Sequence, residues 1–137
     1  MWRYSMTQNT YKILVVDDDP DIVELVRETL ETEGYLVDSA LSYKEAEQYL
    51  SEKIPDLIVL DLILPDGDGY DLCRMITQNR KTHNTPVLML TGKSSLDDRL
   101  RGFVDGARKY ITKPFELDHL TNSVLKLLQR EGPCTTS

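Results

Sequence analysis

The sequence is poor in the residues that staple or metallate small domains. Its 137 residues hold two cysteines, Cys73 in an apparent helix and Cys134 near the end, with no C-x-x-C pair and no spaced framework. A disulfide scaffold is excluded on that count, and a reducing compartment is expected. Two histidines, His83 and His119, are too few and too scattered for a zinc site. Basic charge is also short, with 16 Lys and Arg against 23 Asp and Glu, a net charge of −7. That balance disfavours direct nucleic-acid binding, which needs clustered cations, and favours cations or basic partners. No apolar run approaches the roughly 20 residues that span a bilayer, and Met1 to Thr10 carries no hydrophobic stretch of the signal-peptide kind. No membrane association is expected, and the cytoplasm is the expected location. Internal repeats, low-complexity tracts and linkers are absent.

What is there fits one domain by the usual span of roughly 100 to 200 residues. At 40% apolar residues the chain can bury a core without staples. A catalytic module plus a separate output module is not expected to fit. The organised part is expected over residues 11–130, with 1–10 and 131–137 as flexible ends.

Lys12-Ile-Leu-Val-Val-Asp17 contains four consecutive apolar residues and predicts a strand buried on both faces, as in parallel sheets. The same pattern returns at Asp56 to Asp61 and at Pro86 to Thr91, and more weakly at Tyr35 to Ala40 and Arg108 to Thr112. Helical periodicity fills the intervals. Asp19-Pro20 caps and opens a first helix that Gly34 stops, and Ser42-Tyr-Lys-Glu45 is a capping box for a second. A third runs from about Asp68 to Arg80, and a fourth, capped by Ser94 or Ser95, ends at Gly106. The fifth carries Leu117, Leu120, Val124, Leu127 and Leu128 on one stripe. Five strands alternating with five helices through short loops predict a doubly wound α/β domain, a parallel sheet with helices on both faces.

In such sheets ligands gather at the carboxyl ends of the strands. The first strand ends in Asp17, Asp18 and Asp19, the third in Asp61, the fourth in Thr91, and Lys113 comes just after the fifth. Converging carboxylates repel one another unless a cation joins them, and all-oxygen donors suit Mg²⁺ or Mn²⁺. Lys113 and Thr91 would then serve an anionic group beside the metal. An acid such as Asp61 at the end of a buried strand is costly without a function, whereas Asp19 reads as a helix cap before a metal ligand.

The set Ile13-Leu-Val-Val-Asp17-Asp18-Asp19-Pro20, Leu57-Ile-Val-Leu-Asp61-Leu-Ile-Leu-Pro65-Asp-Gly67-Asp-Gly69, Leu88-Met-Leu-Thr91 and Gly106-Ala-Arg-Lys-Tyr110-Ile-Thr-Lys113-Pro114-Phe115 strongly resembles the receiver domain of two-component response regulators. The likeness spans about Tyr11 to Arg130. It implies a flavodoxin-like sheet of strand order 2-1-3-4-5 and a phosphorylation-activated switch rather than a turnover enzyme. Asp61 would be the phosphoacceptor, charged by a histidine kinase or phosphotransfer protein. Asp18 would bind Mg²⁺ directly, Asp17 mainly through water, and the Ile63 carbonyl and Asp61 would complete the protein's share of ligands. Thr91 and Lys113 would hold phosphoryl oxygens, and Tyr110 would be the switch aromatic. The response would reach a downstream protein or output domain through the surface of the fourth helix, last strand and last helix. Lys113-Pro114 is often cis in this family, as proline permits.

The chain departs from the family pattern at Arg108 and Lys109, where many DNA-binding members carry two acids that make charged dimer contacts. A phosphorylation-dependent dimer stays an open alternative. Two other readings compete: an aspartate-nucleophile phosphohydrolase using Asp17 and Asp19, opposed by Pro20 and the short chain, and a receiver-like interaction module indifferent to phosphorylation. Asp66-Gly67-Asp68-Gly69 evokes a calcium loop, but the sixth position from Asp66 is Asp71 and the twelfth Thr77, which rejects it.

Overall fold

The computed structural model describes residues 10–92 and 106–130. The chain runs β1 (Lys12–Val16), α1 (Pro20–Thr32), β2 (Leu36–Ala40), α2 (Tyr43–Glu52), β3 (Leu57–Leu60), β4 (Ile63–Leu64), β5 (Gly67–Asp68), α3 (Gly69–Gln78), β6 (Val87–Thr91), β7 (Lys109–Thr112) and α4 (Leu117–Arg130). Five strands form one sheet in the order β2-β1-β3-β6-β7, every pairing parallel. This is the flavodoxin-like doubly wound fold, its main strands ordered 2-1-3-4-5. The fourth of the five expected helices falls on residues outside the described ones.

The apolar runs of β1, β3 and β6 make sense on this sheet. Successive side chains of a strand point to opposite faces, so each run feeds two cores. Leu14, Val16, Ile58, Leu60 and Met89 pack with Ala46 and Leu50 of α2 and Leu72, Cys73 and Ile76 of α3. Ile13, Val15, Leu57, Val59, Leu88 and Leu90 pack on the other face with Val23, Val26 and Leu30 of α1 and Leu120, Val124 and Leu127 of α4. Burying each such Leu, Ile or Val contributes roughly 1.5–3 kcal/mol relative to exposure. Leu117 does not join its stripe: it opens α4 and is exposed. Cys73 is a free thiol within the first core.

Local signals set the helix ends. Asp19 accepts a hydrogen bond from the Asp21 amide at 2.9 Å, with Pro20 at the first helical position. At the far end Gly34 takes φ +98°, and its amide and that of Tyr35 bond back to Glu31 and Leu30. Only glycine adopts that conformation cheaply, and it closes the exposed carbonyls of the last turn. Ser42 accepts from the Glu45 amide, while the Glu45 carboxylate accepts from Leu41, one residue before the cap.

Candidate functional site

The parallel arrangement sends the carboxyl ends of β1, β3, β6 and β7 to one edge, and the ladder extends past the strand ends to hold the adjoining residues. The Asp17 amide donates to the Ala40 carbonyl at 3.1 Å, that of Asp61 to Val16 at 2.9 Å, and that of Lys113 to Thr91 at 2.8 Å. With Val16 registered against Leu60, Asp17 and Asp61 stand side by side.

Both acids are nearly buried, 2% and 8% exposed, while Asp18 is exposed. The Lys113 ammonium bridges them, with Nζ 2.8 Å from Asp17 Oδ2 and 3.5 Å from Asp61 Oδ2. Asp17 Oδ1 also accepts from the Asp19 amide at 3.0 Å, and Asp61 Oδ1 from the Ile63 amide at 3.4 Å. One carboxylate oxygen from each of Asp17, Asp18 and Asp61 lies within 4.8 Å of the others. Burial pushes the Asp17 carboxyl above its ordinary range, and the Lys113 hydrogen bond only partly opposes this. For Lys113, burial alone would lower the pKa, but the hydrogen bond to Asp17 and the charges of Asp61 and Asp17 outweigh it and hold the ammonium above its ordinary value. Three carboxylates against one ammonium leave the cluster two negative charges in excess. Its donors are oxygen only, which fits a small hard divalent cation and not a thiolate- or imidazole-seeking one.

The other expected site residues surround this cluster. Thr91 ends β6 and is 1% exposed. Tyr110 lies in β7 beside Met89, half-buried against the core of α2 and α3. Ile63 sits in β4, 57% exposed at the rim just after Asp61. Asp19 lends its carboxylate to the α1 cap, and it is Asp18 that joins the oxygen cluster. The Lys113–Pro114 peptide is cis.

Sequence reasoning missed the support beneath the site. Residues 63–68 form a two-stranded antiparallel hairpin, Ile63 against Asp68 and Leu64 against Gly67. Asp68 caps α3 through the Tyr70 amide at 2.8 Å. Asp66, at the hairpin turn, reaches across to the start of α2 and accepts from the amides of Tyr43 at 2.7 Å and Lys44 at 3.0 Å. The Pro-Asp-Gly turn signal was there to be read, but nothing local named its partner. Desolvation is the largest single effect on the Asp66 carboxyl and raises it, but the backbone donors of Lys44 and Tyr43, with the Lys44 charge, together outweigh it and hold the carboxyl below its ordinary value. Its contribution to stability is therefore present above the ordinary 3.8 and lost as pH falls through the lower folded value. Asp66→Ala is expected to speed amide exchange at Tyr43 and Lys44 and lower the melting temperature at pH 7, with the melting difference vanishing in strong acid; equal exchange in both chains would refute the cross-cap.

Comparison with known proteins places the chain in a family. The family model for the response regulator receiver domain matches residues 13–125. The phosphate regulon transcriptional regulatory protein PhoB of Rhizobium meliloti (strain 1021) is 41% identical over 122 residues, 89% of this chain and 54% of PhoB. A response regulator of Chloroflexus aurantiacus J-10-fl superposes with a TM-score of 0.85 at 37% identity, over 89% of this chain and all of that one. The BeF3-activated DrrB receiver domain superposes at 0.79 with 38% identity, over 88% of this chain and 99% of its own. The chain belongs to the response regulator receiver domain family. It spans about half the length of the curated relatives it matches. Among the described residues no helix is long and apolar enough to cross a membrane.

Proposed function

We propose that this receiver domain is a phosphorylation-activated switch of a two-component relay, taking a phosphoryl group on Asp61 from a histidine kinase or phosphotransfer protein in the cytoplasm. The observation that carries the reading is the Lys113 ammonium bridging Asp17 and Asp61 beside three converging carboxylates. In the reaction an Asp61 oxygen forms a bond to phosphorus as the P–N bond of the donor phosphohistidine breaks, leaving an acyl phosphate and a free imidazole. Asp17, Asp18, Asp61 and the Ile63 carbonyl would hold Mg²⁺, for which Mn²⁺ can substitute. When bound, the ion supplies charge that offsets the phosphoryl oxygens. Lys113 and Thr91 take the remaining oxygens, Lys113 leaving its Asp61 contact to do so.

Phosphorylation adds about 1.5 to 2 negative charges. Thr91 moves toward them and Tyr110, half-buried already, turns further inward, which shifts the population of the surface that includes β7 and α4. That surface meets a downstream protein or output domain. The domain is a switch with modest self-catalysis, not a turnover enzyme and not itself a reader of nucleic acid. Activation of DrrB by BeF3 supports an anion-driven change in this fold.

Incubation with acetyl phosphate and Mg²⁺ should add the mass of one phosphoryl group, lost with chelator and in Asp61→Asn. An adduct that persists in Asp61→Asn would overturn the assignment. Ile63, apolar and exposed at the rim, screens the acyl phosphate from attacking water. Self-dephosphorylation is expected to be slow, and Ile63→Asn to speed it several-fold; rapid label loss unchanged by the substitution contradicts this.

A further inference from the structure

We propose that the cleft between β7 and α4 is a docking groove for an acidic peptide segment of a partner protein. This rests on the switch reading above and names the chemistry of the partner it serves. The cleft has a volume of about 370 Å³, within the range of roughly 300–1,000 Å³ typical of ligand-binding clefts. Its described rim carries Arg108 just before β7, Lys109 at the start of β7, and His119, Asn122 and Lys126 from α4, over a floor of the buried Leu127 and Ser123. Positions 119, 122 and 126 recur at helical spacing, so α4 presents them as one stripe beside its core face. No acid lines the cleft among the described residues.

That concentration runs against a chain whose net charge is −7. The opposite flank of α4 shows the contrast. There a groove shared with α1 is lined by Glu28, Glu33 and Asp118 with Leu25 and Leu117. The two sides of one helix thus carry opposite charge, and the basic side selects a partner rather than merely keeping the protein soluble. A cationic rim over a floor where Leu127 lies beside Ser123 suits a segment whose carboxylates flank an apolar side chain.

The cleft is also placed to sense the site. Lys109 and Lys113 stand at the start and just past the end of β7, about 13 Å apart at the usual strand rise, and Tyr110 is the next residue after Lys109. A shift of Tyr110 therefore reaches the rim through a single peptide.

The test uses the full chain and a fluorescent twelve-residue peptide of alternating Glu and Leu, beside a peptide with Gln in place of Glu and a short DNA duplex. The acidic peptide should bind at least tenfold more tightly than the Gln peptide and weaken as salt rises. The pair Lys109→Glu with Lys126→Glu should reduce its affinity tenfold or more. The milder pair Arg108→Gln with Lys126→Gln should reduce it in the same direction, and Lys81→Glu, beyond α3, should leave it within twofold. Equal binding of the Gln peptide, equal loss in Lys81→Glu, or preference for the duplex would each overturn the proposal. Phosphoryl uptake on Asp61, followed by mass on the same samples, separates the two readings. Cleft-dependent binding by a chain that takes no phosphoryl group sinks the switch and leaves the groove, while normal uptake with no peptide binding does the reverse.

Discussion

Gly69→Ala is expected to destabilise the domain by about 3 kcal/mol, the upper end for forcing an extra carbon into a packed site, and to abolish phosphoryl uptake. The Gly69 amide donates to the Leu62 carbonyl at 2.7 Å. A β-carbon at Gly69 would press on the carbonyl oxygen of Asp61 and lie 2.7 Å from Leu62 Cα and 2.8 Å from the Leu62 oxygen. All three are backbone atoms, so no side chain can swing aside, and relief requires moving the peptide that carries Asp61. For a domain of this size the melting temperature should fall by roughly 10 °C. Gly92→Ala is the control, because a β-carbon there would meet nothing within 4 Å among the described residues. A Gly69→Ala chain that melts like the native protein and takes phosphoryl normally would show that the close approach relaxes at no cost.

Lys113→Met should cost about 2–3 kcal/mol at neutral pH, somewhat less than the 3–5 of a fully buried broken pair because the lysine keeps some solvent contact. Two nearly buried carboxylates lose their shared counter-charge. Phosphoryl uptake should fall about 10²-fold, as when one donor to a developing anion is removed. The pH dependence has a definite sign. Asp17 already titrates above its ordinary 3.8 because burial disfavours its charged form. An acid raised on folding imposes no penalty below that ordinary value and a growing one as pH rises through the folded value. Without Lys113 the folded value climbs further, so the deficit of the variant should be larger at pH 7 than at pH 4. In the native protein Lys113 contributes fully below its ordinary 10.5, a contribution lost as pH rises through its higher folded value. Added Mg²⁺ should narrow the deficit at pH 7. A deficit independent of both pH and Mg²⁺ would mean that Lys113 acts through packing alone.

Much of this protein is written locally. The runs in β1, β3 and β6 are readable because a strand buried on both faces has no polar positions, and two cores then claim alternate residues. Asp19, Ser42 and Gly34 announce helix ends because each acts within a few residues of itself. The candidate site was legible as a set of strand endings, since parallel strands must deliver their carboxyl ends to one edge. Leu117 was misread because periodicity extends past the point where the core stops covering the helix. The sequence by itself determined the five strands of the main sheet, the four described helices, their layering and which side chains stand at the shared edge, for these come from repeat and hydrophobic pattern. Only the tertiary structure decided that Lys113 bridges Asp17 and Asp61 across 96 positions, that Asp66 caps a helix 23 residues earlier, and that Gly69 must lack a side chain to clear Asp61. Those contacts join segments whose sequences carry no mark of one another, and only packing of the whole chain brings them within hydrogen-bond reach.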